Sequence, residues 1–164
     1  MKTRSRLTHS LLLILAGLAV TLLAGCSAIG QSTREACAVT EPTWLTPPED
    51  SAIQGEPAPA HYYTNADGSI LAGAWWWDAE DRAIPFDEKG IKVGWFRPAG
   101  ADLVLTGKRL DSPADKMESE VPCCYPTRFQ ASGLTFPTPG CWQITAAAAD
   151  SQLTFTVWVE PAEE

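Results

Sequence analysis

The sequence predicts an all-β protein, an antiparallel sandwich of two sheets, and three observations lead there. From residue 61 onward apolar residues alternate in short runs, turn signals rich in Gly, Pro, Asn and Asp separate those runs, and no run carries the 3.6-residue period of a helix. Seven or so short strands in about 100 residues hide their apolar faces most simply by stacking in two layers.

The elements follow in order. His61-Tyr62-Tyr63-Thr64, the turn Asn65-Ala66-Asp67-Gly68 and the run from Ile70 to Trp77 form a hairpin around an Asp-Gly turn. Ile91, Val93 and Trp95 share one face of the next strand, and Leu103 and Leu105 one face of the strand after it. Leu134 and Phe136 mark a short strand that Pro137 ends. The clearest pair is Cys141 to Ala148 with Gln152 to Val159, joined at Ala149-Asp150-Ser151. In the last strand Leu153, Phe155, Val157 and Val159 alternate with Gln152, Thr154, Thr156 and Trp158, and in its partner Trp142, Ile144 and Ala146 take the inward face.

The other end of the chain has a different character. Lys2, Arg4 and Arg6 precede an apolar stretch from Leu11 to Gly25, the basic and hydrophobic parts of an export signal. Its 15 residues fall short of the roughly 20 that cross a bilayer as a helix. Leu23-Ala24-Gly25-Cys26 closely resembles the lipobox of bacterial lipoproteins. The resemblance implies that residues 1–25 are a signal peptide, that Cys26 takes a diacylglyceryl group, and that the protein sits lipid-anchored on the extracytoplasmic side of a membrane. Two or three acyl chains, at about 0.8 kcal/mol per buried methylene, anchor far better than one.

Residues 26–60 read as a tether. Pro42, Pro47, Pro48, Pro57 and Pro59 stand among Ser, Thr, Glu and Ala without an apolar period. Cys37 and Trp44 are poor choices for a purely solvated linker, so part of it is expected to fold back on the domain, Trp44 serving as a lid. Residues 61–160 then form the sandwich. Phe136-Pro137-Thr138-Pro139-Gly140-Cys141-Trp142-Gln143-Ile144-Thr145 resembles the start of the penultimate strand in immunoglobulin-like sandwiches of bacterial extracytoplasmic proteins, with Trp142 where those domains often place Tyr. The stretch is also similar to small, functionally uncharacterised envelope lipoproteins. This resemblance implies fold and location and carries no activity.

With Cys26 assigned to lipid, Cys37, Cys123, Cys124 and Cys141 remain as disulfide candidates in an oxidising compartment. A bond between adjacent cysteines strains the peptide, so the expectation is one of Cys123 and Cys124 bound to Cys141 and the other to Cys37. A Cys124 to Cys141 loop of about 17 residues is worth roughly 3 kcal/mol in the chain-entropy model. A metal or redox thiol site is the rival reading. Zinc lacks its knuckle spacing and has one histidine past the signal, His61, whereas copper(I) could accept Cys123, Cys124 and Cys141.

Function is less legible. The whole chain has formal charge −8; without Lys2, Arg4 and Arg6, nine Lys and Arg face twenty Asp and Glu, giving −11. Phosphate binding wants clustered cations, so nucleic acid is excluded as a partner. No Gly-x-Ser-x-Gly, His-Glu-x-x-His or phosphate-cradling loop occurs, and neither an enzyme, a cofactor nor a metal is expected. On a strand, Trp75 and Trp77 point one way and Trp76 the other, so at least one large ring faces out unless both sheet faces are covered, and Trp158 lies on the polar face of its own strand; core packing and coverage by the tether are the alternative to exposure. With the acidic loop of Asp78, Glu80, Asp81, Asp87 and Glu88, Trp76 and Trp158 form the candidate contact surface for an envelope protein or, using the tryptophans as platforms, a glycan.

Overall fold

The computed structural model of this protein describes residues 34–51, 58–123 and 125–162. Residues 1–25, expected to be a signal peptide, and Cys26 and Cys124 lie outside these residues. Ten strands are described: β1 (Thr43–Leu45), β2 (Ala60–Thr64), β3 (Leu71–Gly73), β4 (Ile84–Pro85), β5 (Ile91–Phe96), β6 (Leu103–Arg109), β7 (Glu118–Glu120), β8 (Phe129–Thr135), β9 (Gly140–Ala148) and β10 (Ser151–Glu160). They form two sheets, six-stranded in the order β1-β2-β3-β5-β8-β7 and four-stranded in the order β4-β10-β9-β6. The protein is an all-β sandwich. All pairings are antiparallel except β4 with β10, where Val159 lies opposite Ile84 in a parallel register.

Alternation decides which face of each strand turns inward. Leu153, Phe155, Val157 and Val159 of β10 face Trp142, Ile144, Ala146 and Ala148 of β9 and Ile91, Val93 and Trp95 of β5 in one core. Burying a side chain of this size contributes roughly 1.5–3 kcal/mol, more than the ~1 kcal/mol spread of strand propensities. Across the layers Tyr63 stacks on Phe155 with ring centroids 4.1 Å apart. Buried polar atoms in this region are mostly paired: the Trp95 indole N–H donates to Ser132 Oγ at 2.8 Å, and that of Trp142 to the Thr138 carbonyl at 3.0 Å. The Tyr63 hydroxyl is buried without a well-formed hydrogen bond. Burial, partly offset by the Trp76 side chain, pushes its pKa up to about 12.

Turn chemistry fixes the hairpins. Gly68 takes φ +68°, and the Asp67 carboxylate accepts from the Ser69 N–H at 3.0 Å and hydroxyl at 2.7 Å. Those Ser69 bonds hold the Asp67 pKa below the usual carboxylate range. In the Pro-Gly-Cys-Trp stretch Gly140 has φ +136°, and a Cβ there would run into the Arg109 guanidinium. Arg109 Nε donates to Asp111 Oδ1 at 2.6 Å, while Asp111 Oδ2 accepts from the Cys141 N–H at 2.9 Å. The glycine thus makes room for an ion pair that clamps the start of β9.

Three expectations are corrected. Trp75–Asp78 is a 3-10 helix, not strand, so the side chains follow a three-residue period and Trp76 points into the core, 1% exposed. Trp75 is the exposed member, and Trp77 packs under the Arg82 guanidinium, 5.3 Å from its centroid. Trp158 is also buried, at 7% exposure, because the segment before β1 covers the outer side of β10. Cys37 and Val39 pack on it together with Ala83, Thr40 N–H donates to the Thr156 carbonyl, and Thr156 N–H donates to Thr40 Oγ1, both at 2.9 Å.

That segment also decides the cysteines. Cys37 is joined to Cys141, 104 residues away, so neither Cys123 nor Cys124 is the partner of Cys141. The Thr40 and Thr156 exchange carries Cys37 to the start of β9, while the chain just before Cys123 is held at β8 of the other sheet, with Gln130 Nε2 donating to the Pro122 carbonyl at 2.9 Å. Part of the expected tether is therefore built into the domain, β1 included. Trp44 on β1 is no lid: it is 58% exposed and meets His61 edge-on, at 4.9 Å between centroids.

Candidate functional site

The outer face of the six-stranded sheet carries an aromatic strip. Because Ile91, Val93 and Trp95 turn inward, β5 must turn Lys92, Gly94 and Phe96 outward. Phe96 lies opposite Phe129 on β8 and opposite Leu71 on β3, and Tyr62 opposite Gly73. Ring centroids run Tyr62 to Phe96 at 5.8 Å, Phe96 to Phe129 at 5.7 Å and Phe129 to Tyr125 at 6.2 Å. All four rings are half-buried. Glycine makes the floor: a Cβ on Gly94 would stand 3.2 Å from the Phe129 ring and one on Gly73 3.4 Å from the Gly94 carbonyl. The spacing suits offset and edge-on aromatic contacts, with apolar area still uncovered.

At its Tyr125 end the strip reaches a cavity of about 260 Å³ whose lining includes Arg97, Asp102, Pro122, Cys123, Tyr125 and Gln130. Arg97 is 2% exposed. Its Nη1 donates to the carbonyls of Pro98 at 3.0 Å and Thr127 at 3.2 Å, its Nη2 to the Tyr125 carbonyl at 3.0 Å and Gln130 Oε1 at 3.2 Å. Its Nε is buried with no partner. Among the described residues no carboxylate pairs with this guanidinium, an expensive arrangement for a buried charge.

No family model, curated protein or solved structure matches this chain.

The residues singled out in the sequence are scattered by the fold. Trp76 and Trp158 are core residues. Asp78 accepts from or bonds to His61 Nδ1 at 2.9 Å, beside Trp44, while Asp81 lies exposed in the following turn. Asp87 caps its own turn through the Lys89 N–H at 2.8 Å. Among the described residues no three His, Cys, Asp or Glu side chains converge to hold a metal ion. Tyr62, Phe96, Phe129, Tyr125 and Arg97 were not singled out. One signal for them was present: Phe96 falls on the face opposite Trp95, where a strand with one solvated side would carry a polar residue.

Proposed function

We propose that this chain is a non-enzymatic binding or assembly module of the bacterial cell envelope, lipid-anchored through Cys26 on the extracytoplasmic side, with the Tyr62–Phe96–Phe129–Tyr125 strip as its contact surface. The half-uncovered strip carries the reading, since aromatic rings bury large areas with few rotatable bonds and so lose little entropy on contact. The proposed immunoglobulin-like kinship is supported by the two-sheet sandwich and by Trp95, wholly buried at its centre. The disulfide departs from that family's inter-sheet bridge, since it ties the leading segment to β9.

A photo-crosslinking residue at Tyr62 is expected to trap a recurrent envelope partner in intact cells, while one at Thr145 on the opposite face traps none. Equal labelling from both positions sinks the strip. The glycan reading is favoured by exposed Trp44 and Trp75; retardation on a polysaccharide gel that is lost in Trp75→Ala but kept in Phe129→Ser would select it instead. Mass spectrometry is expected to find acylated Cys26 as the mature amino terminus, and a free Ser27 or intact Met1 rejects the anchor.

A further inference from the structure

The fold explains only part of what Arg97 presents at its cavity. Four of its five guanidinium hydrogens go to neutral oxygens, the backbone carbonyls of Pro98, Thr127 and Tyr125 and the Gln130 amide. That clamp holds the chain from Tyr125 to Thr127 beside the end of β5. It accounts neither for the hydrogen on the buried, unpartnered Nε nor for the positive charge, whose ordinary partner inside a protein is a carboxylate. Gln130, like Arg97 only 2% exposed, is fixed in turn by donating to the carbonyls of Pro122 at 2.9 Å and Ala131 at 2.8 Å. Two buried polar side chains thus border the cavity. Packing voids that stay empty are apolar, so this space suits water or a polar ligand.

The lining sets the chemistry of that ligand. Buried Arg97 and exposed Asp102 are the charged residues along it, and neither enters an ion pair among the described residues. A plain anion is opposed by Asp102 and a plain cation by Arg97, whereas a molecule carrying both a carboxylate and an ammonium satisfies each. Leu103 and Val121 add an apolar wall. Size narrows the choice further, because a cavity of about 260 Å³ falls below the roughly 300–1,000 Å³ that hold drug-sized ligands. We infer that the cavity is a binding site for a small free amino acid, its carboxylate toward Arg97, its ammonium toward Asp102 and an apolar side chain along Leu103 and Val121. The inference rests on the cavity and on neither the aromatic strip nor the lipid anchor.

The test titrates the full-length, ¹⁵N-labelled protein with L-leucine and follows the Arg97 Nε–H resonance. Arg97 itself is left intact, since it also holds backbone. A saturable downfield shift is expected, as a charge-assisted hydrogen bond produces, with half-saturation at or below about 1 mM. No shift at about 20 mM leucine overturns the site. N-acetyl-L-leucine, which lacks the ammonium, and L-leucine amide, which lacks the carboxylate, should each bind about tenfold or more weakly. Equal binding of N-acetyl-L-leucine overturns the free amino acid in favour of a peptide carboxyl terminus, and equal binding of the amide removes Arg97 from recognition. Asp102→Asn, a change at an exposed residue, should weaken leucine by about three- to tenfold and leave N-acetyl-L-leucine no weaker. An unchanged leucine affinity in that variant overturns the ammonium contact and with it the ligand class.

Discussion

The outer faces of the two sheets are built from the same alternation and come out opposite in character. On the four-stranded sheet the cross-strand rows are Val104–Ala147–Gln152, Thr106–Thr145–Thr154 and Lys108–Gln143–Thr156. Its polar groups satisfy one another, Thr145 and Thr154 sharing a 3.1 Å hydrogen bond and Gln152 Nε2 donating to Thr154 at 3.3 Å. The segment from Cys37 to Thr40 covers Trp158 on that face, while Val104 stays exposed at the β6 edge. The six-stranded sheet instead leaves four rings over a glycine floor. An outward face that is already hydrogen-bonded and covered gains little by contact, and the aromatic face has area still to bury.

The largest change should come from uncovering the covered face. Closing about 100 residues into a loop is worth roughly 4.7 kcal/mol in the chain-entropy model, so Cys37→Ser should cost several kcal/mol in urea unfolding, on the order of 4, and expose Trp158 to quenching by iodide. A loss under about 1 kcal/mol would mean the bridge merely decorates a cover that holds itself. Next, Gly94→Val fills the floor beneath Phe129. The overpacking should cost about 1–3 kcal/mol and shift the ring's resonances; the same change in stability from Thr145→Val would erase the distinction between the faces.

Two smaller effects probe what the faces share. Tyr63 joins the layers, and its phenol pKa is raised from 10.0 to about 12. A raised pKa favours the neutral phenol in the fold, so its contribution is whole below pH 10 and drains away as pH rises through 12. Tyr63→Phe should flatten stability across that window and add about 1 kcal/mol at neutral pH by removing an unpaired hydroxyl; a loss there would reveal a partner for the hydroxyl. At the tip of the polar face Ala149 holds φ +50° in the two-residue connection between β9 and β10. Ala149→Gly should therefore gain roughly 0.5–1 kcal/mol in thermal unfolding, and no gain would mean the turn is unstrained.

The inward residues were legible because alternation needs only neighbours in the chain. Trp142, Ile144 and Ala146 are each wholly buried, as are Val159 and Trp95. What the sequence did not disclose depends on distant chain. Trp158 sits on the solvated side of its strand by period and is buried because residues 37–40 return to it, with Ala83 packed beside them. Trp76 misled because three tryptophans have high strand propensity, yet Gly73 ends β3 and a 3-10 turn sends alternate rings elsewhere. The cysteine pairing was missed for the same reason as Trp158, since loop length says nothing about which segment lies beside β9. The site was legible only at Phe96; its neighbours Tyr62 and Phe129 join it through registers that no local pattern contains.

The bridge from Cys37 to Cys141 also sets where a mechanical load enters. Tension applied to the chain ahead of residue 37 passes through sulfur into the first residues of β9, a strand bonded to β6 on one side and β10 on the other. The three-residue edge strand β1 and the hairpin after it are bypassed. Pulling from that end therefore shears the most extensively paired strand of the molecule, and the weakest strand is never the one unzipped first.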